Sequence, residues 1–226
     1  MTTLFPIRRE DKQHFRFLRG FLRRPKQVGS IVPSSRFLER CIVRNAGIDT
    51  AKLVVELGPG TGGTTRALLN ALRDDARLVA IEINSNFASW LRSRLHDPRL
   101  IVHEGSAEDL HRILAKYGLE AADVVLSGIP FSTMSRTAGI AILNTVKQAL
   151  CPGGRFVAYQ MRDRVEALGC QLFGQARVQI EIRNIPPMRV FTWQKFNDHG
   201  GSVTPKDEKA LLIHNNDHVE VCQHPG

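Results

Sequence analysis

The chain predicts an α/β fold, a doubly wound and mostly parallel sheet that ends in an antiparallel hairpin. Three observations carry this expectation. From residue 51 to residue 160, short β-branched runs alternate with amphipathic helical stretches. The first run, Leu53-Val54-Val55-Glu56-Leu57, breaks at once into Gly58-Pro59-Gly60-Thr61-Gly62-Gly63 and a helix-forming stretch. Beyond Tyr159, two strand-like segments are joined by little more than Ile185-Pro186-Pro187, a connection too short for a parallel return.

The elements follow in order. Strands are expected at 52–57, 77–82, 99–103, 122–127 and 154–160, with helices at 63–73, 84–96, 107–116 and 135–150 between them. A short helix near 162–168 precedes hairpin strands at 177–184 and 189–195, which makes seven strands. Right-handed crossovers then place helices on both faces, and ligands bind outside the carboxyl ends of the strands beside the first one.

The glycine turn is the first functional signal. Glycine lets the backbone bend at φ > 0 and lets a ligand approach the main chain. Gly58, Gly60 and Gly63 fit the spacing of dinucleotide sites, whereas Gly58, Gly60 and Gly62 fit that of S-adenosylmethionine sites. Two acids bear on the choice. Glu56, two residues before the first glycine, repels a pyrophosphate but suits the ammonium of a methionine moiety. Glu82 closes the run Leu78-Val79-Ala80-Ile81, about 20 residues on, the spacing at which an acid meets a ribose hydroxyl pair.

Composition bounds the rest. At 226 residues, 42% hydrophobic and 23% charged, the chain suits one soluble domain with appendages. It shows no apolar run of membrane-spanning length and no secretory leader pattern. Cys41, Cys151, Cys170 and Cys222 are scattered and read as reduced thiols; the His residues show no metal-ligand spacing, so no metal is expected.

The net charge of +9 is concentrated at one end. Residues 1–44 hold 11 Lys/Arg against 3 acids, +8 of the total. Three regions are therefore expected: a basic amphipathic arm at 1–46, a catalytic domain at 47–196 and a flexible tail at 197–226. Projected as a helix, the arm gathers Phe15, Leu18 and Leu22 on one side and Arg16, Arg19 and Arg23 on the other, a pattern suited to an anionic membrane surface. Docking of the apolar side on the chain's own domain is the alternative. Nucleic acid is disfavoured, since no aromatic platform interleaves with the charge. In Ser30-Ile31-Val32-Pro33-Ser34-Ser35, Ser34 or Ser35 is a natural N-cap for a helix at 36–45, and the small-residue loop suits a cofactor carboxylate.

These features together resemble a known family. The chain is similar to class I S-adenosylmethionine-dependent methyltransferases, with their Rossmann-like sheet, and among them to the bacterial phospholipid N-methyltransferases that act on phosphatidylethanolamine. The likeness rests on 24–35 (Arg24-Pro25-Lys26 to Pro33-Ser34-Ser35), Val55-Glu56-Leu57-Gly58-Pro59-Gly60-Thr61-Gly62, Ser127-Gly128-Ile129-Pro130-Phe131, Leu150-Cys151-Pro152-Gly153-Gly154-Arg155-Phe156 and Arg183-Asn184-Ile185-Pro186-Pro187.

The resemblance implies roles. Glu56, Gly58, Pro59, Gly60, Thr61 and Gly62, with Ser34, would hold the methionine end of the cofactor. Glu82 would take the ribose, and Ile83, Ser106 and Ala107 the adenine. Ser106 stands where such enzymes usually carry Asp. Ser127 and the residues after it would border the reacting methyl, without the Asn or Asp of adenine methylases. Tyr159 is the candidate proton acceptor, and Arg189, Arg183, Arg136 and Arg162 are candidate phosphate anchors. The implied partners are a phospholipid and an anionic membrane, at the inner face of the cytoplasmic membrane.

Overall fold

The computed structural model describes Ser34–Phe196 and the backbone of Val219–Val221. The amphipathic arm, with Phe15, Arg16, Leu18, Arg19, Leu22 and Arg23, lies outside the described residues, as does most of the expected tail.

The sheet forms as the alternation predicts. Its strands are β1 (Leu53–Leu57), β2 (Arg77–Glu82), β3 (Leu100–Glu104), β4 (Ala122–Ser127), β5 (Leu150–Gln160), β6 (Arg177–Glu181), β7 (Met188–Gln194) and β8 (Val219–Val221). They lie in the order β3-β2-β1-β4-β5-β7-β6-β8. Strands β1 to β5 pair parallel, and β7 runs antiparallel to both β5 and β6. All five residues of β1 are buried, as a central parallel strand covered on both faces requires.

The helices are α1 (Arg36–Ala46), α2 (Gly63–Ala71), α3 (Ser85–Arg94), α4 (Leu110–Lys116), α5 (Arg136–Ala149) and α6 (Arg164–Phe173). Ser35 caps α1, its Oγ accepting from Leu38 N at 3.2 Å. Two apolar cores follow from strand alternation. Val54, Leu78, Leu126 and Val190 pack with Leu38, Ile42 and Leu68 of α1 and α2. Val55, Val79, Val125 and Phe156 pack on the other face with residues of α4, α5 and α6. There Phe156, Phe191 and Trp193 stack, with ring centroids 5.3 and 6.0 Å apart.

Three details depart from the sequence reading. An eighth strand, β8, joins the sheet parallel to β6 from within the expected tail. Three residues are too few for periodicity to announce a strand; the unpaired edge of β6 provides the partner. The helix expected near 162–168 runs instead to Phe173, because Val165, Leu168 and Phe173 share one buried face. Cys41 is disulfide-bonded, not a reduced thiol, and its partner lies outside the described residues; Cys151 and Cys170 are free. Scattered spacing hides such a pairing because only the fold brings the two sulfurs together.

Candidate active site

The carboxyl ends of β1, β2, β3 and β4 form the floor of the site. Gly58 N donates to Ile81 O at 2.9 Å, Gly105 N to Glu82 O at 3.0 Å and Gly128 N to Leu57 O at 2.9 Å. Each ladder thus continues one step beyond its strand and stops at a glycine. Gly58, Gly60 and Gly62 adopt φ of 70°, 56° and 81°, so the turn needs residues free to enter the left-handed region. Gly62 then starts α2, whose N-terminal amides point toward the crevice.

Glu56 is wholly buried at the end of β1. Its Oε2 accepts from Thr65 Oγ1 at 2.6 Å, while Oε1 finds no donor among the described residues. Burial pushes its pKa up to about 7; the Thr65 bond opposes the shift and the charge of Glu82 adds to it. A carboxylate oxygen shut away from water without a donor calls for a cationic or N–H partner.

Glu82 shapes the turn as well as facing it. Its Oε2 accepts from Gly60 N at 3.0 Å and its Oε1 from Asn84 N at 2.9 Å. Desolvation raises its pKa, and these backbone bonds hold it back. A carboxylate has lone pairs left for a ribose hydroxyl. Next to it, Ile83 is 76% exposed and presents an apolar side chain. Ser106 caps a short helical turn over Ala107–Asp109, its Oγ accepting from Glu108 N at 3.2 Å. Ala107 is buried beside it.

Opposite the turn stands the end of β4. Ser127 is fully buried, and its Oγ accepts from Ile129 N at 3.2 Å. Ile129 O accepts from Gln160 Nε2 at 2.8 Å, which fixes the loop from the side of β5. Tyr159 presents its hydroxyl to Gly128 and Thr64, and burial together with the nearby Glu56 raises its pKa. The phenol is therefore neutral near pH 7. As a hydroxyl it can accept an N–H from an amine and align its lone pair. Ser34 joins from the other side, its Oγ 3.3 Å from Thr64 Oγ1.

The expected arginines separate. Strand alternation puts Arg189 on the face of Phe191 and Trp193, opposite to Tyr159. Arg136 donates to Gln171 on α6 at 3.0 Å. Arg183 lies beside α1, its guanidinium 4.3 Å from the centre of the Phe37 ring. Sequence reasoning passed over Thr64, Thr65 and Gln160 and gave Asn184 no role of its own beyond its motif, though each is buried and each holds a neighbouring element by a hydrogen bond. The Thr-Thr pair directly after the glycine turn was the available signal.

Comparison with known proteins decides which ligand this crevice serves. The family described as a methyltransferase domain matches residues 54–154. An ornithine lipid N-methyltransferase of Singulisphaera acidiphila is 34% identical over 178 residues, 78% of this chain and 93% of that protein. The chain belongs to the class I S-adenosylmethionine-dependent methyltransferases. A ribosomal RNA small subunit methyltransferase A of Laribacter hongkongensis is 34% identical over a shorter stretch, 36% of this chain and 30% of that protein. The O-methyltransferase of Bacillus cereus, solved with SAH, shares the fold at TM-score 0.59 and 14% identity, over 84% of this chain and 93% of that one.

The cofactor of this methyltransferase is S-adenosylmethionine, and the residues present fit it. Among the described residues Glu56 Oε1 has no donor, which the methionine ammonium would supply. The positive-φ glycines let the backbone turn closely around a ligand. The fold is thus as the sequence predicts.

Proposed function

We propose that this enzyme methylates the head-group amine of a membrane aminolipid, with phosphatidylethanolamine and its mono- and dimethyl derivatives as acceptors. The observation that carries the reading is the similarity, over nearly the whole length of that protein, to an enzyme named for N-methylation of a lipid. The basic arm supports it, since each Lys or Arg near an anionic surface adds about 1 kcal/mol of attraction.

The bound cofactor supplies an electrophilic methyl on sulfonium. The protein has to bind, orient and dry the reactants. In this reading Glu56 holds the methionine ammonium, Ser34 lies beside the methionine carboxylate, Glu82 takes the ribose, and Ile83, Ser106 and Ala107 border the adenine. Ser127 and Gln160 hold the 127–131 loop still beside the reacting carbon. The neutral Tyr159 hydroxyl accepts an N–H of the primary or secondary amine and aims its lone pair, and the proton released on methylation passes to water. Arg183, at the same end of the sheet, suits the lipid phosphate better than Arg189 does.

Mass spectrometry of lipids from bacteria expressing the chain tests this directly. Mono-, di- or trimethylated phosphatidylethanolamine is the expected product. Methylation confined to ornithine lipid would move the assignment to that aminolipid, the second reading favoured by the relative's name. Purified protein that methylates ribosomal RNA but no lipid would overturn both.

A further inference from the structure

We propose that the β6–β7 loop and the outer face of α1 form a surface that inserts into an anionic bilayer at the mouth of the cofactor crevice. The proposal rests on the lipid reading above and adds where the membrane meets the folded domain. Ile182 is 58% and Ile185 89% exposed, two large aliphatic side chains three residues apart on one short loop. Isolated exposed apolar residues are ordinary, but these are held outward by a built anchor. Asn184, 1% exposed between them, accepts from Ser35 N at 2.9 Å and donates to Pro186 O at 2.8 Å. With Asn184 turned in, the neighbouring isoleucines cannot fold back onto the core.

Charge accompanies the apolar tip. Arg36, Arg40 and Arg44 recur every fourth residue along α1, and all three are exposed, which makes one cationic stripe. Arg36 and Arg183 flank the same Phe37 ring, at 4.9 and 4.3 Å. Glu181, the acid nearest the tip in sequence, is fully buried and bonds Arg183 Nε at 3.2 Å. Exposed isoleucines within a field of arginines match the apolar and anionic layers of a bilayer surface.

Position gives this surface a purpose. Arg189 pairs with Gln160 at the carboxyl end of β5, so the loop rises from the edge of the sheet that carries the site. Ser35 receives the loop, and Ser34 meets Thr64 at the start of α2. A bilayer touching Ile182 and Ile185 therefore meets the opening through which a head group must reach Tyr159.

The test uses the full chain with vesicles of phosphatidylglycerol and phosphatidylethanolamine carrying brominated acyl chains. Ile185→Trp should be quenched beyond the parent chain, which has only Trp90 and Trp193. Ile182→Ser/Ile185→Ser should bind these vesicles about tenfold more weakly. Its cofactor affinity and its turnover of detergent-dispersed aminolipid should stay at parent values, which also shows that it folds. Absence of extra quenching, or emission from position 185 already blue-shifted and unchanged by vesicles, would overturn the proposal; the latter would mean that another segment of the chain covers the loop. No turnover of dispersed aminolipid by the parent chain would sink the lipid reading alone, since quenching reads insertion without catalysis.

Discussion

The hydroxyl of Tyr159 lies 2.6 Å from the point where a Cβ on Gly128 would stand, and Gly58 O lies 3.0 Å from the same point. Gly128 is therefore a space kept open between the glycine turn and the one phenol of the site. A methyl group there must displace the hydroxyl or part β4 from β1. Gly128→Ala should lower turnover by about a hundredfold, similar to Tyr159→Phe, and the double variant should lose little more than either alone. Additive losses would show that the two do not act together. Cofactor calorimetry on Tyr159→Phe should stay within about twofold of the parent, since only the acceptor loses its partner.

Glu56 couples cofactor binding to pH. Its pKa in the folded chain is about 7, raised by burial above the value of an exposed carboxyl. Between those values the folded state holds a proton that the unfolded chain has released. Stability of the cofactor-free protein should therefore fall as pH rises through this window and level off above about 7. Cofactor affinity should rise over the same range as the carboxylate ionises. Thermal melts and calorimetry from pH 5 to 8 read both trends, and opposite slopes would contradict the burial argument.

Replacing the carboxylate separates these effects. Glu56→Gln should weaken S-adenosylmethionine binding about 10- to 100-fold, the worth of a hydrogen bond to a charged group. It should also flatten both pH profiles. Its melting temperature should match or exceed that of the parent near neutral pH, because the amide carries no charge to desolvate. A large fall in melting temperature would mean that the ionised form stabilises the fold.

Asn184 ties the β6–β7 loop to the start of α1. Asn184→Ala strands Ser35 N and Pro186 O and should cost about 1–3 kcal/mol, read as a melting temperature several degrees lower. Activity on vesicles should fall more than activity on detergent-dispersed lipid. An equal fall on both would place the effect on the fold and not on the loop.

The sequence by itself determined the parallel sheet, the glycine turn and the two acids at the ends of β1 and β2. These are local signals: a β-branched run, a change of period, a glycine where φ turns positive. Class I membership was likewise legible, since Val55–Gly62 carries its chemistry in consecutive residues. Tertiary structure alone decided which groups are paired and which are left without partners. That Glu56 Oε1 has no donor among the described residues, that Glu82 braces Gly60, and that Arg189 faces away from Tyr159 all depend on strand register and on residues far apart in the chain. So do the disulfide at Cys41 and the eighth strand. Burial and pairing arise between elements, and a linear pattern records only what each element can offer.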